Sequence, residues 1–271
     1  MTVWDWNHAG GIKYLYLPDW LEKGVIAAFT TRTGGDSGDG YESLNLALQV
    51  GDDYQKVIAN RLKVLNALGG SLDQMVCCQQ VHGSRGIAVD SSYSGRGALQ
   101  YEDALPGTDA LVTDTPGIYL ATFYADCVPV YIFDPENRCI ALIHSGWKGT
   151  ISHITLATIA IMREQYGSKL HHLAVFIGPG IDRCCFEIQP DLADRVRQEL
   201  VGHNAILSQS GDKLFWDLKN TIRQDLLLSG VLAENIQVCE LCTYCHSDFF
   251  YSHRRDNGNT GRMGAFVSLR V

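Results

Sequence analysis

The sequence has no run of like charges and no uninterrupted apolar segment of membrane length, and each lack removes a class of function. Charged residues are only 19% of the chain and the formal net charge is −8. The excess of Lys and Arg with which nucleic-acid binders neutralise phosphates is therefore missing. Neither a zinc-finger nor an RNP pattern is present, so no nucleic acid is expected as a partner. The opening stretch MTVWDWNHAG has neither a basic leader nor an apolar core, and no secretory signal is expected there. The longest apolar stretch, IYLATFYADCVPVYIF, is broken by Asp126 and Pro129 and falls short of the ~18 residues a membrane helix needs. No membrane association is expected, and the expected location is the cytoplasm.

Familiar catalytic signatures are also missing. There is no H-E-x-x-H, no G-x-x-x-x-G-K-[ST] and no G-x-S-x-G, which removes the common metalloprotease, P-loop and α/β-hydrolase readings. Nor is an H-x-E paired with a P-C-x-x-C, so the usual zinc nucleobase deaminase is excluded. The stretch GPGID, with Gly178 and Gly180 behind a strand-like run, is too short for a dinucleotide fingerprint, although its backbone N–H groups suit an anion.

No internal repeat and no Pro/Ser-rich linker divides the chain, so residues 1–271 are read as one domain. A hydrophobic content of 46% suits an ordinary folded globule. The nine cysteines are an odd number in a chain too long to need a disulfide scaffold, so mostly reduced thiols are expected.

Helical periodicity marks YQKVIANRLKVLNALGG, with Ile58, Leu62, Leu65 and Leu68 on one face, Asp52 or Asp53 as cap and Gly69-Gly70 as stop. TISHITLATIAIMREQYG reads as one helix ending near Gly167. DLKNTIRQDLLLSG reads as another between Asp217 and Gly230, and DLADRVRQELVG as a shorter one. Between them lie β-type runs: GVIAAFTT, QMVCCQQV, ALVTD, GIYLATFY, VPVYIFD, RCIALIH, HLAVFIG, IQVCEL and GAFVSLRV. Helices and strands alternate irregularly, which predicts an α+β or mixed α/β protein. Residues 91–107 are expected to form a long surface loop.

Three of these runs end in residues able to do chemistry: QQVHG in His82, FYADCVPV in Asp126 and Cys127, and ALIHSGWKGT in His144. Side chains at strand ends are held by a rigid sheet yet reach solvent, the usual setting of active sites. A thiolate and two imidazoles suit zinc and leave a fourth position open, as in a catalytic site. The same trio also suits a Cys-His nucleophile pair, because a neighbouring imidazole lowers the thiol pKa. A chelator abolishes activity in the first case and a thiol alkylator in the second.

The rival cluster is VCELCTYCH, in which Cys239, Cys242, Cys245 and His246 follow a C-x2-C-x2-C-H pattern. A closed zinc site normally joins two knuckles and an iron–sulfur run needs a fourth cysteine before proline, so packing beside the site is the expected role. The adjacent pairs Cys77-Cys78 and Cys184-Cys185 would point to opposite faces of a strand. Core is their expected place, with at most one of each facing a site. Guanidinium forks favour phosphate and carboxylate, which marks Arg32, Arg254 and Arg255 as anion binders; Lys148 and Glu187 are weaker site candidates on position alone.

Taken in order, FTTRTGG, SLNLALQVGDD, QQVHG, ADCVPV, HSGWKGT, IGPGI with CCFEI, LCTYC and FFYSHRRDNGNTGRMGAF resemble the bacterial laccase-domain family. That family has long been labelled polyphenol oxidase or multicopper oxidase and is related to purine nucleoside phosphorylases of the same fold. The resemblance runs from about Phe29 to Val267. It implies a single-domain α+β layered sandwich of mixed β-sheets with flanking helices, similar to cysteine-hydrolase-like folds. It implies zinc at the positions here occupied by His82, Cys127 and His144. It further implies phosphorolysis of adenosine, inosine and methylthioadenosine to base and ribose 1-phosphate, adenosine deamination, and a link to editing of muropeptide precursors. Two departures stand out: Lys148 replaces an arginine of the tryptophan turn, and His253 replaces a tyrosine before the arginine pair. Lysine keeps the charge but loses the bidentate fork, which bears on phosphate or substrate affinity.

The oxidase label meets an inventory problem. A multicopper centre uses many histidines in H-x-H pairs, and this chain has nine scattered ones with no such pair. A single Cu²⁺ would enter the zinc donors readily, making phenol oxidation a side activity. The leading expectation is thus a zinc-dependent enzyme acting on purine nucleosides and phosphate, as monomer or homodimer, with Asp126 orienting a ligand or accepting a proton. A hydrolase or amidase of peptidoglycan precursors is the runner-up, and a non-catalytic binding protein with a structural zinc the third reading.

Overall fold

The strand-like runs are apolar at nearly every position, without polar alternation, and the reason is that both faces of the central strands are covered. The computed structural model describes residues 3–270. Met1 and Thr2, within the stretch read for a leader, and Val271, at the end of the last strand-like run, lie outside the described residues.

The chain starts with a hairpin of β1 (Asp5–Ala9) and β2 (Ile12–Tyr16), a short helix α1 (Pro18–Glu22) and β3 (Val25–Thr30). After a long loop come α2 (Tyr54–Leu68), β4 (Met75–Cys77), β5 (Gly86–Ala88), β6 (Ala110–Thr113), β7 (Tyr119–Tyr124), β8 (Val128–Asp134) and β9 (Cys139–Ser145). Next are α3 (Trp147–Ile151), α4 (Ile154–Tyr166), β10 (Ala174–Ile177), β11 (Glu187–Ile188), α5 (Pro190–Glu199), β12 (Leu207–Ser210) and β13 (Lys213–Trp216). The chain closes with α6 (Leu218–Ser229), β14 (Ile236–Val238) and β15 (Met263–Leu269).

Two mixed six-stranded sheets result, in the orders β1-β2-β3-β15-β7-β4 and β14-β10-β8-β9-β6-β5, with β11-β13-β12 as a small third sheet. Along β8 the side chains alternate between two cores. Val128, Val130 and Ile132 meet the helices, while Tyr131 and Phe133 fill the space between the two large sheets. β9 does the same, with Cys139, Ala141 and Ile143 on one side and Ile140 and Leu142 on the other. A third cluster, including Val64, Leu65, Tyr119 and Phe266, lies where α2 covers the outer face of the first sheet. At roughly 1.5–3 kcal/mol per fully buried large apolar side chain, these layers supply most of the driving force for folding. The α+β architecture of mixed sheets with few flanking helices is the expected one.

Several local expectations change. The buried face of α2 is Val57, Asn60, Arg61, Val64, Leu65 and Leu68, while Leu62 is exposed. The helix is rotated because two polar residues have inward tasks. Asn60 donates to the carbonyls of Ser43 and Asn45, and Arg61 donates to those of Leu46, Gly97 and Ala98. These bonds pin the loops on either side of the helix. The segment read as one helix over 150–167 is two, because His153 takes a left-handed φ of 52° between α3 and α4. The caps at Asp53, Asp217, Gly69, Gly167 and Gly230 are as expected. The first hairpin and the small third sheet carry too little apolar alternation to be read in advance.

Candidate metal centre and active-site cavity

His82 and Cys127 sit where the chain crosses from one sheet to the other. His82 lies between β4 and β5, Cys127 between β7 and β8, and in both cases the two strands belong to different sheets. β4 and β7 are parallel neighbours, so both crossovers occur at the same end of the sandwich. His144, paired with Pro129 near the end of β9, points to that end from the second sheet. The crossovers need tight backbone, and His82 (φ 60°) and Asp126 (φ 84°) both adopt left-handed conformations that non-glycine residues visit at a cost.

The ligating atoms of His82, Cys127 and His144 all lie within 4.8 Å of one another, and the two imidazole rings are 4.9 Å apart between centroids. What holds them is a residue that no motif singles out. Asp109 is fully buried and its Oδ1 lies 2.8 Å from Nδ1 of His144. The same carboxylate accepts the backbone N–H groups of Val81, His82 and Gly83 at 3.2, 3.0 and 2.7 Å. One carboxylate thus fixes the His144 ring and the His82 loop together. Burial alone would raise its pKa, but the His144 hydrogen bond and charge, with the Gly83 and Val81 N–H groups, hold it below the ordinary range.

With Nδ1 committed to Asp109, His144 turns its other ring nitrogen toward the thiol. Burial pushes the Cys127 thiol up, but the charge of His144 and hydrogen bonds from His144 and His82 outweigh it and bring the pKa down to about 6. Burial pulls His144 down, but the Cys127 thiolate and Asp109 raise it to about 9. Each charge favours the other, so without a metal the pair is shifted toward thiolate and imidazolium. A cation would take the place of the proton between them.

The donor set fits a zinc-type ion: one soft thiolate, two imidazoles, and an orienting carboxylate on the non-ligating nitrogen of His144. The backbone makes room for it. A Cβ at Gly146 would lie 2.9 Å from Sγ of Cys127 and 3.0 Å from Cδ2 of His82.

This cluster lines a cavity of about 580 Å³. Its walls include Phe123, Trp147 and Phe186, with Arg254 and Arg262 as cations and Asp126 beside Cys127. Gln80 is locked to the backbone, exchanging hydrogen bonds with the carbonyl and N–H of Phe123 at 2.9 and 2.8 Å. Asp126 is buried and engaged at both oxygens, accepting from Thr243 Oγ1 and from the backbone N–H of Arg254, each at 2.7 Å. It therefore ties the Arg254 loop to the Cys127 turn. The Arg254 guanidinium donates to the Glu187 carbonyl at 2.8 Å, is centred 5.3 Å over the Phe186 ring and reaches the cavity.

Arg32, Arg255, Lys148 and Glu187 lie outside this cavity. Arg32 donates to the Glu42 carbonyl at 3.0 Å and stacks on Tyr251 at 4.7 Å. Arg255 is spent on the carbonyls of Thr243, Tyr244 and Phe250 and on the Asp256 carboxylate. Lys148 is exposed on α3, and Glu187 pairs with Lys213 at 2.8 Å. His253 does line the cavity, as does Arg262, which sits in a turn-like run with no pattern of its own.

The cysteines divide. Cys77 and Cys78 are buried on opposite faces of the first sheet, as their adjacency predicts. Cys139 and Cys239 are core. Cys184 and Cys185 depart from the expectation: they occupy a turn instead of a strand, so both reach Sγ of Cys245, at 3.7 and 3.4 Å.

Among the described residues no helix is long and apolar enough to cross a membrane. Over 249 residues the chain is 38% identical to a purine nucleoside phosphorylase, YlmD, of Geobacillus stearothermophilus, covering 91% of each chain. It is 34% identical over 242 residues to an adenosine deaminase, RL5, from an unknown prokaryotic organism, covering 89% of this chain and 92% of that one. The crystal structure of YlmD from Geobacillus stearothermophilus superposes with a TM-score of 0.94 at 36% identity over the full length of both chains. Residues 26–270 match the family described as multi-copper polyphenol oxidoreductase laccase, and the chain belongs to that laccase-domain family.

Proposed function

We propose that the protein, read as one laccase domain over residues 1–271, is a zinc-dependent purine nucleoside phosphorylase that converts adenosine, inosine or methylthioadenosine and phosphate into base and ribose 1-phosphate. The observation that carries this reading is the convergence of His82, Cys127 and His144 on the wall of a cavity that also holds aromatic faces and guanidinium groups. These are the parts needed for a flat apolar base and an anionic co-substrate. The relatives named above as purine nucleoside phosphorylase and adenosine deaminase support it.

In this reading His82, Cys127 and His144 hold Zn²⁺. Bound there, the ion supplies Lewis acidity toward a substrate atom on which negative charge builds. Asp109 keeps His144 in the ligating tautomer and aims the His82 loop. Phe123, Trp147 and Phe186 cover the base and exclude water, while Arg254 and Arg262 neutralise and orient phosphate. The bond from C1′ to the base breaks as a phosphate oxygen bonds to C1′; the electron pair leaves with the base, whose nitrogen gains a proton. Positive charge grows on the sugar during the exchange, and an adjacent phosphate anion stabilises it. Asp126 has both oxygens engaged in the ground state, so its part is to position Arg254.

The second reading, which the deaminase relative favours, is deamination of adenosine: water adds at C6 of the base instead of phosphate at C1′, the C6–N bond breaks, and ammonia leaves with inosine as product. The experiment is a coupled assay on chain loaded with Zn²⁺ or Cu²⁺ alone, given adenosine with and without phosphate and read for adenine, ribose 1-phosphate and inosine. Phosphate-dependent adenine with zinc is the expected result. Absence of both adenine and inosine from zinc-loaded protein ends the reading.

A further inference from the structure

The second group of close-set thiols lies outside the cluster just described. Cys184 and Cys185 come from the turn before β11, Cys242 and Cys245 from the turn after β14, and their four sulfurs all lie within 4.8 Å of one another. We propose that these four cysteines form a second, structural metal site that takes one tetrahedral divalent cation of the zinc type and locks together two loops behind the cavity.

The geometry supports a mononuclear site. Four thiolates at a Zn–S distance of ~2.3 Å form a tetrahedron with edges of about 3.8 Å. The separations of Cys245 Sγ from those of Cys184 and Cys185, 3.7 and 3.4 Å, are close to that edge. An iron–sulfur cluster needs its cysteines further apart, with inorganic sulfide between them. One knuckle is present, the C-x2-C of Cys242 and Cys245, and in place of a second the tight turn through Asp182 lets the adjacent Cys184 and Cys185 face one point. That turn is closed by hydrogen bonds from the N–H groups of Cys185 and Phe186 to the Asp182 carbonyl, both at 2.9 Å. The Asp182 N–H donates to Sγ of Cys242 at 3.4 Å, the outer contact that thiolate sulfurs bound to a cation usually receive. Four protein donors leave no open position, so the site is structural.

Its position defines what it would hold. The first loop carries Ile181 and Phe186, both on the cavity wall. The second carries Thr243, whose hydroxyl donates to Asp126 beside Cys127. The loops already touch through the bridge between Gly180 and Cys242 and through buried Lys219, which donates to Asp182 and to the carbonyls of Cys239 and Leu241. Binding free energy in a structural zinc site adds directly to the stability of the chain it closes. A cation here would therefore stiffen one wall of the cavity without touching substrate.

The test uses the full chain purified with reductant and zinc. Cys127→Ala removes a donor of the first cluster, and this variant is expected to keep about one zinc per chain, coordinated by sulfur at ~2.3 Å in X-ray absorption. Adding Cys184→Ser and Cys245→Ser, both at exposed positions, is expected to abolish that zinc, with an unchanged far-UV spectrum and faster hydrogen exchange confined to residues 180–186 and 240–247. Three results overturn the proposal: no zinc in Cys127→Ala, retention of zinc after the two serine substitutions, or a disulfide among these four cysteines in the reduced preparation. Iron in place of zinc overturns the assignment of metal class.

Discussion

Oδ1 of Asp109 lies 2.8 Å from Nδ1 of His144, and the same carboxylate accepts the backbone N–H of His82, so one buried side chain sets both imidazole donors. Asp109→Asn keeps the volume but removes the charge and presents an N–H₂ group where an acceptor is required. A carboxylate behind a metal-binding histidine typically contributes 10–100-fold in metal affinity. Zinc affinity of Asp109→Asn, measured by chelator competition, is expected to fall by about that factor. Wild-type affinity would show that Asp109 serves the loop and not the ion.

Gly146 has an ordinary negative φ of −83°, so alanine is compatible with its backbone. Its methyl would nevertheless lie 2.9 Å from the Cys127 sulfur and 3.0 Å from the His82 ring. Gly146→Ala is expected to lose zinc and activity while melting within a few degrees of wild type. Metal content and a thermal melt on the same sample check both halves.

The thiol–imidazole pair has a pH signature in metal-free protein. A lowered pKa means that the thiolate persists to lower pH, so alkylation of Cys127 by iodoacetamide should be half-maximal near pH 6. For an unperturbed thiol the midpoint is about 8.5. Cys77, whose pKa burial raises to about 11 despite the nearby Arg61 charge, is the internal control and should stay unmodified below pH 8. In His144→Ala the Cys127 midpoint should move upward, because the largest charge favouring the thiolate is gone. Peptide mapping by mass spectrometry resolves the two cysteines; coincident profiles for Cys127 and Cys77 would contradict the site's electrostatics.

Arg254 and Arg255 are adjacent but differ in what they touch. Arg254→Ala should raise the KM for phosphate about tenfold or more, as expected for loss of one charge-assisted anion contact, with little change in Tm. Arg255→Ala releases three carbonyls and should lower Tm more than it changes KM. Equal effects on phosphate KM would show that the loop acts as a unit.

Arg61 tests the fold itself. It is buried, donates to the carbonyls of Leu46, Gly97 and Ala98, and stacks against Phe123 at 4.6 Å. Arg61→Ala orphans three buried acceptors. A loss of about 3 kcal/mol or more, a Tm drop on the order of 10 °C, is expected.

The local signals that were legible rest on periodicity and caps. The apolar runs of β7, β8 and β9 and the caps Asp53, Asp217 and Gly230 are visible in the sequence because each depends on neighbours a few residues away. The hairpin β1-β2 and the pair β12-β13 were not: β1, β12 and most of β13 are half-buried or exposed, and β2, although Ile12, Tyr14 and Leu15 are buried, alternates too weakly over five residues. On α2, period alone selected Leu62 for the core, whereas long-range hydrogen bonds of Asn60 and Arg61 turned the helix. Asp109 had no signal at all: a lone aspartate in GTDA resembles any turn residue until its partners arrive from two other segments.

By itself the sequence determined that the chain folds around apolar strands, which residue types stand at the strand ends, and what chemistry a thiol with two imidazoles can do, because hydrophobic periodicity and donor character are properties of short stretches. Only the tertiary structure decided that His82, Cys127 and His144 face one point, that Arg254 reaches the cavity while Arg32 does not, and that Cys184 and Cys185 meet Cys242 and Cys245. Those outcomes depend on where two sheets exchange chain and how turns aim side chains, and no local pattern carries that geometry.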